Sequence, residues 1–465
     1  MRLTITALLC LSATATQAQV CEPVSPTELI GNDAIAYGYA GFSVSAAGDL
    51  AVVGVYGDDR VTIGAGSVAV YRRTDGVWAQ EDDLMPDPAD AARGDWMGYS
   101  VATDGQRIVV GVPYGIVDGV KTGRVLVYAN DQTLGWVVED TIAAPDGVFD
   151  DQFGTSVAID EGVILVGAPG RDFFSLEDMG GAYVFTLDES DWVFEDILLG
   201  FSGALARGGQ AVALDMPFAA FGAPRDASPG TPDTGRAWVF ESSKSGWAPP
   251  TDLPASMPEP GAFYGNAVAI QGSTALVGAP FVEFTPGDAA GRVEAFGFEN
   301  GSWQATQTID ARFSGDQWLG ESLAIRGDTL AIGMPGISSR RGAVELHTRD
   351  SSGQWAPATP EPLAPDTLPA ISFFGNSVAL AEGTLLVGAD RTDVPGTNAG
   401  SAWAYALCAC PADLTGDGYA NFFDVVEFIA RYNLSDPRAD LAEPFGVLNF
   451  FDIAAYIALF NAGCP

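Results

Sequence analysis

The chain is poor in histidine, in basic residues and in long hydrophobic runs. Of its 465 residues one is histidine, His347, and 22 are lysine or arginine against 60 aspartate or glutamate. A single histidine removes most histidine-based chemistry, including histidine-rich zinc sites and paired proton shuttles. The net charge of −38 repels phosphate backbones and anionic lipids, so we expect no nucleic-acid partner.

The one notable apolar run lies at the N-terminus and is too short to span a membrane. Leu3 to Ala15 follows Arg2 and precedes Thr16-Gln17-Ala18, a small-residue cleavage pattern. Residues 1–18 are therefore typical of a signal peptide, and we expect a secreted, extracellular or cell-surface-associated protein without a transmembrane segment. Four cysteines follow, which in a secreted chain predicts two disulfides with three possible pairings; they are Cys21, Cys408, Cys410 and Cys464.

Seven copies of one pattern run through the chain. Each has an aromatic residue, Gly, any residue, Ser, Val and Ala, then an apolar run ending in Val-Gly-Ala-Pro; the clearest copy spans Phe153 to Pro169. Two glycines recur 13 residues apart, and successive copies lie 55 to 57 residues apart. The first glycines are Gly41, Gly98, Gly154, Gly209, Gly265, Gly320 and Gly375, and the second are Gly54, Gly111, Gly167, Gly222, Gly278, Gly333 and Gly388.

Each copy contains four short strand signals. In the third copy they are Ser156–Ile159, Val163–Gly167, Ala182–Phe185 and Trp192–Leu198. Because one four-stranded blade cannot bury both faces, the copies predict an all-β, seven-bladed propeller. A glycine precedes every third strand, and tryptophan opens the fourth strand of six copies; the glycines are Gly66, Gly123, Gly181, Gly235, Gly291, Gly342 and Gly400, and the tryptophans Trp78, Trp136, Trp192, Trp247, Trp303 and Trp355.

The ends of the array favour a closed ring over a linear solenoid. The seventh copy stops at Ala406 without a tryptophan strand, whereas Pro26–Ile30, ahead of the first copy, has the pattern of an isolated fourth strand. We therefore expect the N-terminal segment to complete the last blade of a propeller domain at residues 22–408.

These motifs resemble the FG-GAP repeats, which are also found in integrin α-subunit propellers. The resemblance covers about residues 26–406. Calcium-binding members carry an Asp/Asn-rich loop between the first two strands, whereas turns such as Asp104-Gly105-Gln106 have no room for six oxygen ligands. We therefore expect no calcium in the propeller.

A different pattern begins near residue 410. Residues 413–424 have the spacing of a twelve-residue calcium loop, with oxygen ligands at positions 1, 3, 5, 7, 9 and 12 and Gly418 at the sharp bend. The predicted Ca²⁺ ligands are Asp413, Thr415, Asp417, the Tyr419 carbonyl, Asn421 and Asp424.

The calcium-loop unit recurs in damaged form. A helix follows the first loop, with Phe422, Val425, Val426 and Ile429 expected on one apolar face. Asn449-Phe450-Phe451-Asp452 then repeats Asn421-Phe422-Phe423-Asp424 and opens a second helix, Phe450 to Phe460. The second loop keeps Asn449 and Asp452 but has lost other ligands, so we expect no normal second site.

Duplicated loop–helix units with Asp at position 12 resemble dockerin modules, and the Cys-Pro-Ala-Asp start and Asn-Ala-Gly-Cys-Pro end resemble the GC-type variant. The resemblance covers residues 410–465 and implies an EF-hand-type calcium module that attaches its carrier to a cohesin-like or cell-surface protein partner. We expect disulfides Cys21–Cys408, which would staple the ring, and Cys410–Cys464, which would join the ends of the module.

Two hypotheses for function stand side by side. The first is a secreted, monomeric, non-enzymatic scaffold for binding or adhesion, with no catalytic residues, whose loops after the second glycine bind a protein or glycan. The second is an extracellular polysaccharide hydrolase or lyase on a propeller, which close carboxylates with shifted pKa values would favour. The loops are Tyr56–Ala65, Gly170–Gly180, Arg225–Thr234, Phe281–Ala290 and Arg391–Ala399.

Other features have structural interpretations. The tripeptide Arg93-Gly94-Asp95 spells an adhesion motif that chance supplies freely, and the recurring tryptophans are expected to pack the blades. His347 is expected to be an ordinary strand residue without a carboxylate pattern nearby. The fourth copy, Arg207 to Ala211, is interpreted as drift. Paired aspartates are expected on a solvated acidic surface; they are Asp58-Asp59, Asp82-Asp83 and Asp150-Asp151.

Overall fold

The fold is known from a computed structural model. It describes residues 26–31, 36–74, 76–131, 133–200, 203–227, 231–285, 287–350, 352–393, 396–407, 422–433, 439 and 450–462. Most predicted residues of the calcium loops and disulfides lie outside this part of the chain, as does the signal segment; they are Asp413, Thr415, Asp417, Tyr419, Asn421, Asn449, Cys21, Cys408, Cys410 and Cys464. Asp424 falls within a helix, but its side chain lies outside the description.

Seven antiparallel sheets follow one another along the chain, each with four strand positions. The chain begins with β1 (Thr27–Leu29), followed in blade one by β2 (Val44–Ala47), β3 (Leu50–Val55), β4 (Ser67–Thr74) and β5 (Val77–Leu84); in blade two by β6 (Ser100–Thr103), β7 (Arg107–Val112), the loop hairpin β8 (Ile116–Val117) and β9 (Val120–Lys121), β10 (Arg124–Asp131) and β11 (Gly135–Ile142); and in blade three by β12 (Ser156–Asp160), β13 (Val163–Gly167), β14 (Ala182–Asp188) and β15 (Asp191–Leu198).

Blade four contains β16 (Ala211–Asp215), β17 (Phe218–Ala223), β18 (Arg236–Ser243), β19 (Gly246–Trp247) and β20 (Thr251–Asp252), and blade five contains β21 (Ala267–Gln271), β22 (Thr274–Ala279), β23 (Arg292–Glu299) and β24 (Ser302–Asp310). Blade six contains β25 (Leu323–Arg326), β26 (Thr329–Met334), the single turn α1 (Ile337–Arg340), β27 (Ala343–Arg349) and β28 (Trp355–Pro357); blade seven contains β29 (Val378–Ala381), β30 (Thr384–Ala389) and β31 (Ser401–Ala406); and α2 (Phe422–Asn433) and α3 (Phe450–Ala462) follow.

The blades form a closed ring, as the sequence predicted. The first strands of consecutive blades contact one another from blade one through blade seven and back to blade one. The gap in blade seven is filled by β1, which pairs antiparallel with β31 so that Thr27 lies opposite Ala404 and Leu29 opposite Ala402. The protein is thus a seven-bladed propeller whose last blade is completed by the N-terminal strand.

The motif glycines and serines form the joints between blades. A Cβ on the second glycine of any copy would lie between 1.8 and 2.1 Å from the carbonyl oxygen of the next blade's first glycine, so no side chain fits there. The motif serine donates to that same carbonyl, as Ser156 Oγ does to Gly209 O at 2.7 Å. These residues recur because adjacent backbones touch at this point.

The glycine before the third strand serves the same purpose. It has a positive φ, and its Cβ would meet the backbone of the next blade, which favours glycine. In the third copy this residue is Gly180, with φ +78°, rather than Gly181 as the sequence suggested.

Hydrophobic clusters fill the spaces between neighbouring blades. Trp136, Trp192, Trp303 and Trp355 of the fourth strands are buried in these clusters. The expectation that these tryptophans pack the blades, rather than serve as exposed platforms, is confirmed.

The fourth copy compensates for its missing aromatic residue. Gly208 stands where other copies carry a larger side chain, and a Cβ there would lie 2.6 Å from the ring of Phe221. Phe221 is fully buried on β17 and packs against Trp238 and Phe240. A second-strand aromatic therefore fills the space left by the first-strand one.

The C-terminal helices lie where the sequence placed them. Phe428 of α2 stacks on Tyr456 of α3 with ring centroids 4.1 Å apart, and Asp452 is buried. Val425 packs against this cluster, but Val426 and Ile429 are exposed, so the predicted apolar face is wrong in these two positions. Within the described ranges, no helix combines the length and apolarity needed to cross a membrane.

Candidate functional site

The two ends of the propeller differ. The strand registers bring the loops between blades and the loops between second and third strands to one end, here called the mouth face. The short turns joining first to second and third to fourth strands lie at the other end, the turn face. The variable loops that the sequence singled out belong to the mouth face.

A ring of strained residues surrounds the axis on the mouth face. The residue two positions before the first glycine has a left-handed backbone in all seven blades, with φ between 53° and 60°. This conformation is uncommon outside glycine, asparagine and aspartate. Five of the seven residues are aromatic, and the set is here called the mouth ring: Tyr39, Trp96, Gln152, Arg207, Phe263, Trp318 and Phe373.

Backbone hydrogen bonds hold the mouth ring in place. The amide of Trp318 donates to Ala289 O at 3.1 Å, and that of Phe373 to Arg340 O at 3.0 Å, each joining the ring to a loop of the preceding blade. Left-handed bulky residues cost about 1–3 kcal/mol each and persist only where the surroundings fix them. The ring is therefore built into the fold rather than being a chance feature of one loop.

Aromatic side chains form two arcs around the mouth ring. In the first arc Trp96 stacks on Tyr99 at a centroid distance of 5.8 Å and meets Tyr114 edge-on at 4.7 Å. Tyr39 and Tyr56 continue this arc at 5.2 Å. The second arc runs through blades five to seven by three contacts of 5.4, 5.6 and 5.9 Å; its members are Phe263, Phe281, Trp318 and Phe373.

Cationic side chains lie on these aromatic arcs. Arg340 lies over Trp318 with its guanidinium carbon 5.5 Å from the ring centroid, and Arg391 over Phe373 at 4.7 Å. Arg225 and Lys121 are placed similarly over Phe263 and Tyr114, at 6.0 and 4.8 Å. Among the described residues, several cations of the mouth-face loops have no carboxylate at salt-bridge distance, including Lys121, Arg207, Arg225 and Arg340.

A buried carboxylate, Asp390, and a half-buried one, Glu321, lie near the mouth ring. Asp390 stands where five other copies have proline, and only 4% of it is exposed. Burial raises the pKa of Asp390 to about 7, although Arg391 lies 3.8 Å away. Burial also raises the pKa of Glu321 to about 7, and the Asp390 charge adds to this effect. Asp390 Oδ1 and Glu321 Oε2 lack hydrogen-bond partners among the described residues.

Several paired aspartates are buried rather than solvated, so that expectation is wrong for them. Asp58 is buried and accepts hydrogen bonds from Arg60 Nε at 2.8 Å and Ser67 Oγ at 2.6 Å. Asp151 is also buried, which raises its pKa to about 6. These carboxylates brace the loops from within.

The adhesion tripeptide is not presented. Asp95 is buried, and its Oδ2 accepts a hydrogen bond from the Ala92 amide at 2.8 Å. Because a recognition carboxylate must reach the partner, the structural interpretation of Arg93-Gly94-Asp95 is supported.

His347 does have a carboxylate partner, contrary to the sequence expectation. Its Nε2 lies 2.8 Å from Glu345 Oε2, and Arg312 Nε donates to Glu345 Oε1 at 2.8 Å. Although burial opposes ionisation, these two hydrogen bonds hold the pKa of Glu345 below its usual value. His347 and Glu345 are both buried, so the cluster ties β27 to the preceding loop. Glu345 and His347 are two residues apart on one strand and therefore share a face, which is the feature of the sequence that could have indicated this contact.

No group of three or more histidine, cysteine, aspartate or glutamate side chains is arranged for a metal within the described ranges. The predicted Ca²⁺ loop lies almost wholly outside them, so its ligand set stays a prediction. Asp452 of the second loop is buried within the helix pair.

Comparison with known proteins supports the repeat family in part of the chain. Residues 136–185 and 365–405 match the family model of the FG-GAP repeat, and these stretches lie in blades two to three and seven. These two stretches of the propeller therefore match FG-GAP repeats. No curated protein sequence matches the chain.

One similar solved structure is a candidate 6-phosphogluconolactonase from Bacteroides uniformis. It is 14% identical in sequence, with a TM-score of 0.47, and the alignment covers 75% of this chain and 93% of that one.

Proposed function

We propose that the protein is a non-enzymatic binding scaffold that holds its ligand at the mouth ring. The observation that carries the proposal is the ring itself, in which seven left-handed residues, five of them aromatic, surround the axis. Backbone strain of this kind concentrates at functional sites, where it fixes the positions of the side chains that act there.

Exposed apolar side chains also favour the mouth face as the binding surface. Monomeric proteins rarely expose contiguous apolar patches unless these bind something. Most of the exposed large apolar residues of the propeller lie in mouth-face loops, among them Tyr37, Ile63, Val148, Phe149, Phe174, Leu205, Met257, Phe284 and Ile371.

A polysaccharide hydrolase or lyase is the second candidate. The observation favouring it is the pair Glu321 and Asp390, whose raised pKa values suit a general acid at neutral pH. Release of reducing ends or unsaturated products from polysaccharides tests it. Turnover that is lost in Glu321→Gln, with binding retained, would replace the scaffold proposal by an enzyme.

The C-terminal segment supplies attachment in this proposal. A secreted carrier with a Ca²⁺ loop at residues 413–424 would bind its protein partner only where calcium is available. Val426 and Ile429, exposed on α2, support this role because they offer an apolar surface to a partner. Asp413→Ala should abolish calcium binding in calorimetry and attachment to the partner.

Affinity capture of extracellular glycans and proteins on the full chain tests both halves of the proposal. Trp318→Ala should remove the mouth ligand and leave attachment intact, whereas Asp413→Ala should do the reverse. Val77→Ala, at a side chain 68% exposed on an outer strand, is the control. Capture that Trp318→Ala leaves unchanged would refute the mouth as the binding site.

A further inference from the structure

We infer that the second arc of the mouth ring binds a sugar unit that carries a carboxylate. This inference rests on the proposed binding role of the ring and names the class of ligand. The sugar would lie with its apolar face on the aromatic side chains and its carboxylate against the adjacent guanidinium groups.

The unpaired cations are the first argument. In a chain with 22 basic and 60 acidic residues, basic side chains find carboxylate partners readily. Many do so on both faces, as Arg107 with Glu139 at 2.7 Å on the turn face and Arg171 with Asp146 at 2.9 Å on the mouth face. At the mouth Arg225 and Arg340 lie instead over aromatic rings, with their donors available. A planar guanidinium suits a ligand carboxylate, which it can bind with two parallel hydrogen bonds.

The backbone is shaped to hold this arrangement. Ser338, Ser339 and Arg340 are three consecutive residues with φ of 56°, 60° and 64°, in the loop that carries Arg340 to Trp318. Left-handed residues normally occur singly. Gly336 lies beneath the same ring, and a Cβ there would be 2.8 Å from the Trp318 indole. These backbone features thus position Trp318 and Arg340 next to each other.

Neighbouring amides suit the hydroxyl groups of a sugar. Arg207 is held by Gln152 Oε1 at 2.6 Å and Gln210 Oε1 at 3.3 Å, on the part of the ring next to the second arc. Amide and guanidinium donors beside an aromatic face match the alternating hydroxyl and C–H surfaces of a sugar ring. A peptide would instead be expected to use a strand edge or a deep apolar groove.

The surrounding loops limit the ligand to a compact anion. Asp150, Asp316 and Asp393 are exposed in mouth-face loops outside the ring. These charges repel an extended polyanion but act less on a single carboxylate held at the axis. The end of a glycan, or a sparsely acidic chain, therefore fits better than a nucleic acid or a densely charged polymer.

Calorimetry on the full-length protein tests the inference with a short oligouronate, its carboxyl-reduced neutral counterpart and an acidic peptide of equal charge. The oligouronate should bind, and removal of its carboxylates should weaken binding at least about tenfold. The double variant Arg225→Gln/Arg340→Gln should weaken it similarly and remove most of its salt dependence. Arg326→Gln, at an exposed arginine of the turn face without a salt bridge, should leave affinity unchanged.

The other outcomes overturn the inference in distinguishable ways. If the neutral counterpart binds equally well and Trp318→Ala abolishes that binding, the acidic class is wrong while the proposed function stands. If the peptide binds and the oligouronate does not, the sugar class is wrong. If oligouronate binding survives both the arginine and the tryptophan variants, the ring is not the site and the proposed function fails with it. If the oligouronate does not bind, the inference is wrong, and affinity capture decides the proposed function.

Discussion

The mouth face and the turn face are built from the same seven repeats but differ in which residues adopt left-handed backbone conformations. On the turn face, most positive φ angles fall on glycines such as Gly272 and Gly327, and most arginines of the described residues have carboxylate partners. On the mouth face, bulky residues occupy left-handed conformations and several cations lie on aromatic rings. Left-handed backbone at bulky residues thus accumulates at one end of the molecule.

The difference indicates where the repeats are free to diverge. Strands and joints are constrained because each blade touches the next at a glycine carbonyl, so every copy keeps both glycines there. Apart from the glycine before each third strand, the loops at the mouth are under no such constraint, and the residue type at the ring position differs between most copies. Four matched pairs of substitutions test this division.

The largest effect is expected at the joints between blades. Gly278→Ala places a Cβ 2.1 Å from Gly320 O, and we expect a loss of at least about 4 kcal/mol or failure to fold. Gly272→Ala, in a turn with nothing within 4 Å of the new Cβ, should cost about 1 kcal/mol through its positive φ. Urea denaturation measures both, and equal losses would contradict the joint.

Two tryptophans should separate packing from binding. Trp303 is 8% exposed in the core between blades. Its replacement by alanine should lower the free energy of unfolding by about 3–5 kcal/mol. Trp318→Ala, in the half-buried mouth ring, should cost about 1 kcal/mol and abolish ligand binding. Thermal unfolding with parallel binding measurements checks this. A larger stability loss for Trp318 would mean that the ring is a packing element.

The buried carboxylate should make its end of the molecule sensitive to pH. The pKa of Asp390 is raised to about 7, so ionisation penalises the folded state as pH rises from about 4 to 7. Asp390→Asn should therefore be more stable than the parent by on the order of 4 kcal/mol at pH 8 and about equal to it at pH 4.

The matched turn-face control is Asp328→Asn, which breaks the exposed pair with Arg349 and should change stability by less than about 1 kcal/mol at either pH. Denaturation curves at the two pH values decide the matter. A gain for Asp390→Asn that is the same at both would show that its charge is not responsible.

The smallest effect is expected for the motif serine. Ser156→Ala loses the hydrogen bond to Gly209 O and should cost about 1 kcal/mol. The fourth and fifth copies already carry alanine at this position, Ala211 and Ala267, so folding should survive. Ser302→Ala, exposed on the turn face, should cost nothing measurable in the same denaturation assay.

The sequence predicted the scaffold well because its determinants are local and repeated. The spacing of the two glycines placed every blade, and Pro26–Ile30 correctly indicated the closing strand. The site was harder to predict. Loop starts such as Arg225 and Phe281 were identified, but the mouth ring was missed because its shared property is a backbone angle, not a residue type.

Contacts between residues far apart in the chain were the second feature that the sequence could not predict. Arg312 meets Glu345 only once the blades are assembled, so the environment of His347 could not be inferred from strand patterns. Asp390 was a detectable signal, because an acidic residue replaces the proline of the motif. It was not recognised because nothing in the sequence shows that Glu321 lies close enough to feel its charge.

The pairing of β1 with β31 has a consequence for how the protein is made. The strand that leaves the ribosome first has to wait for nearly the whole propeller before its partner exists, so the ring stays open throughout synthesis. Because β1 has only three residues, the β31 of an open chain at high local concentration can pair with the β1 of a neighbouring chain as readily as with its own. Crowding during production should therefore yield strand-swapped pairs of chains, and slow dilution should return them to single rings.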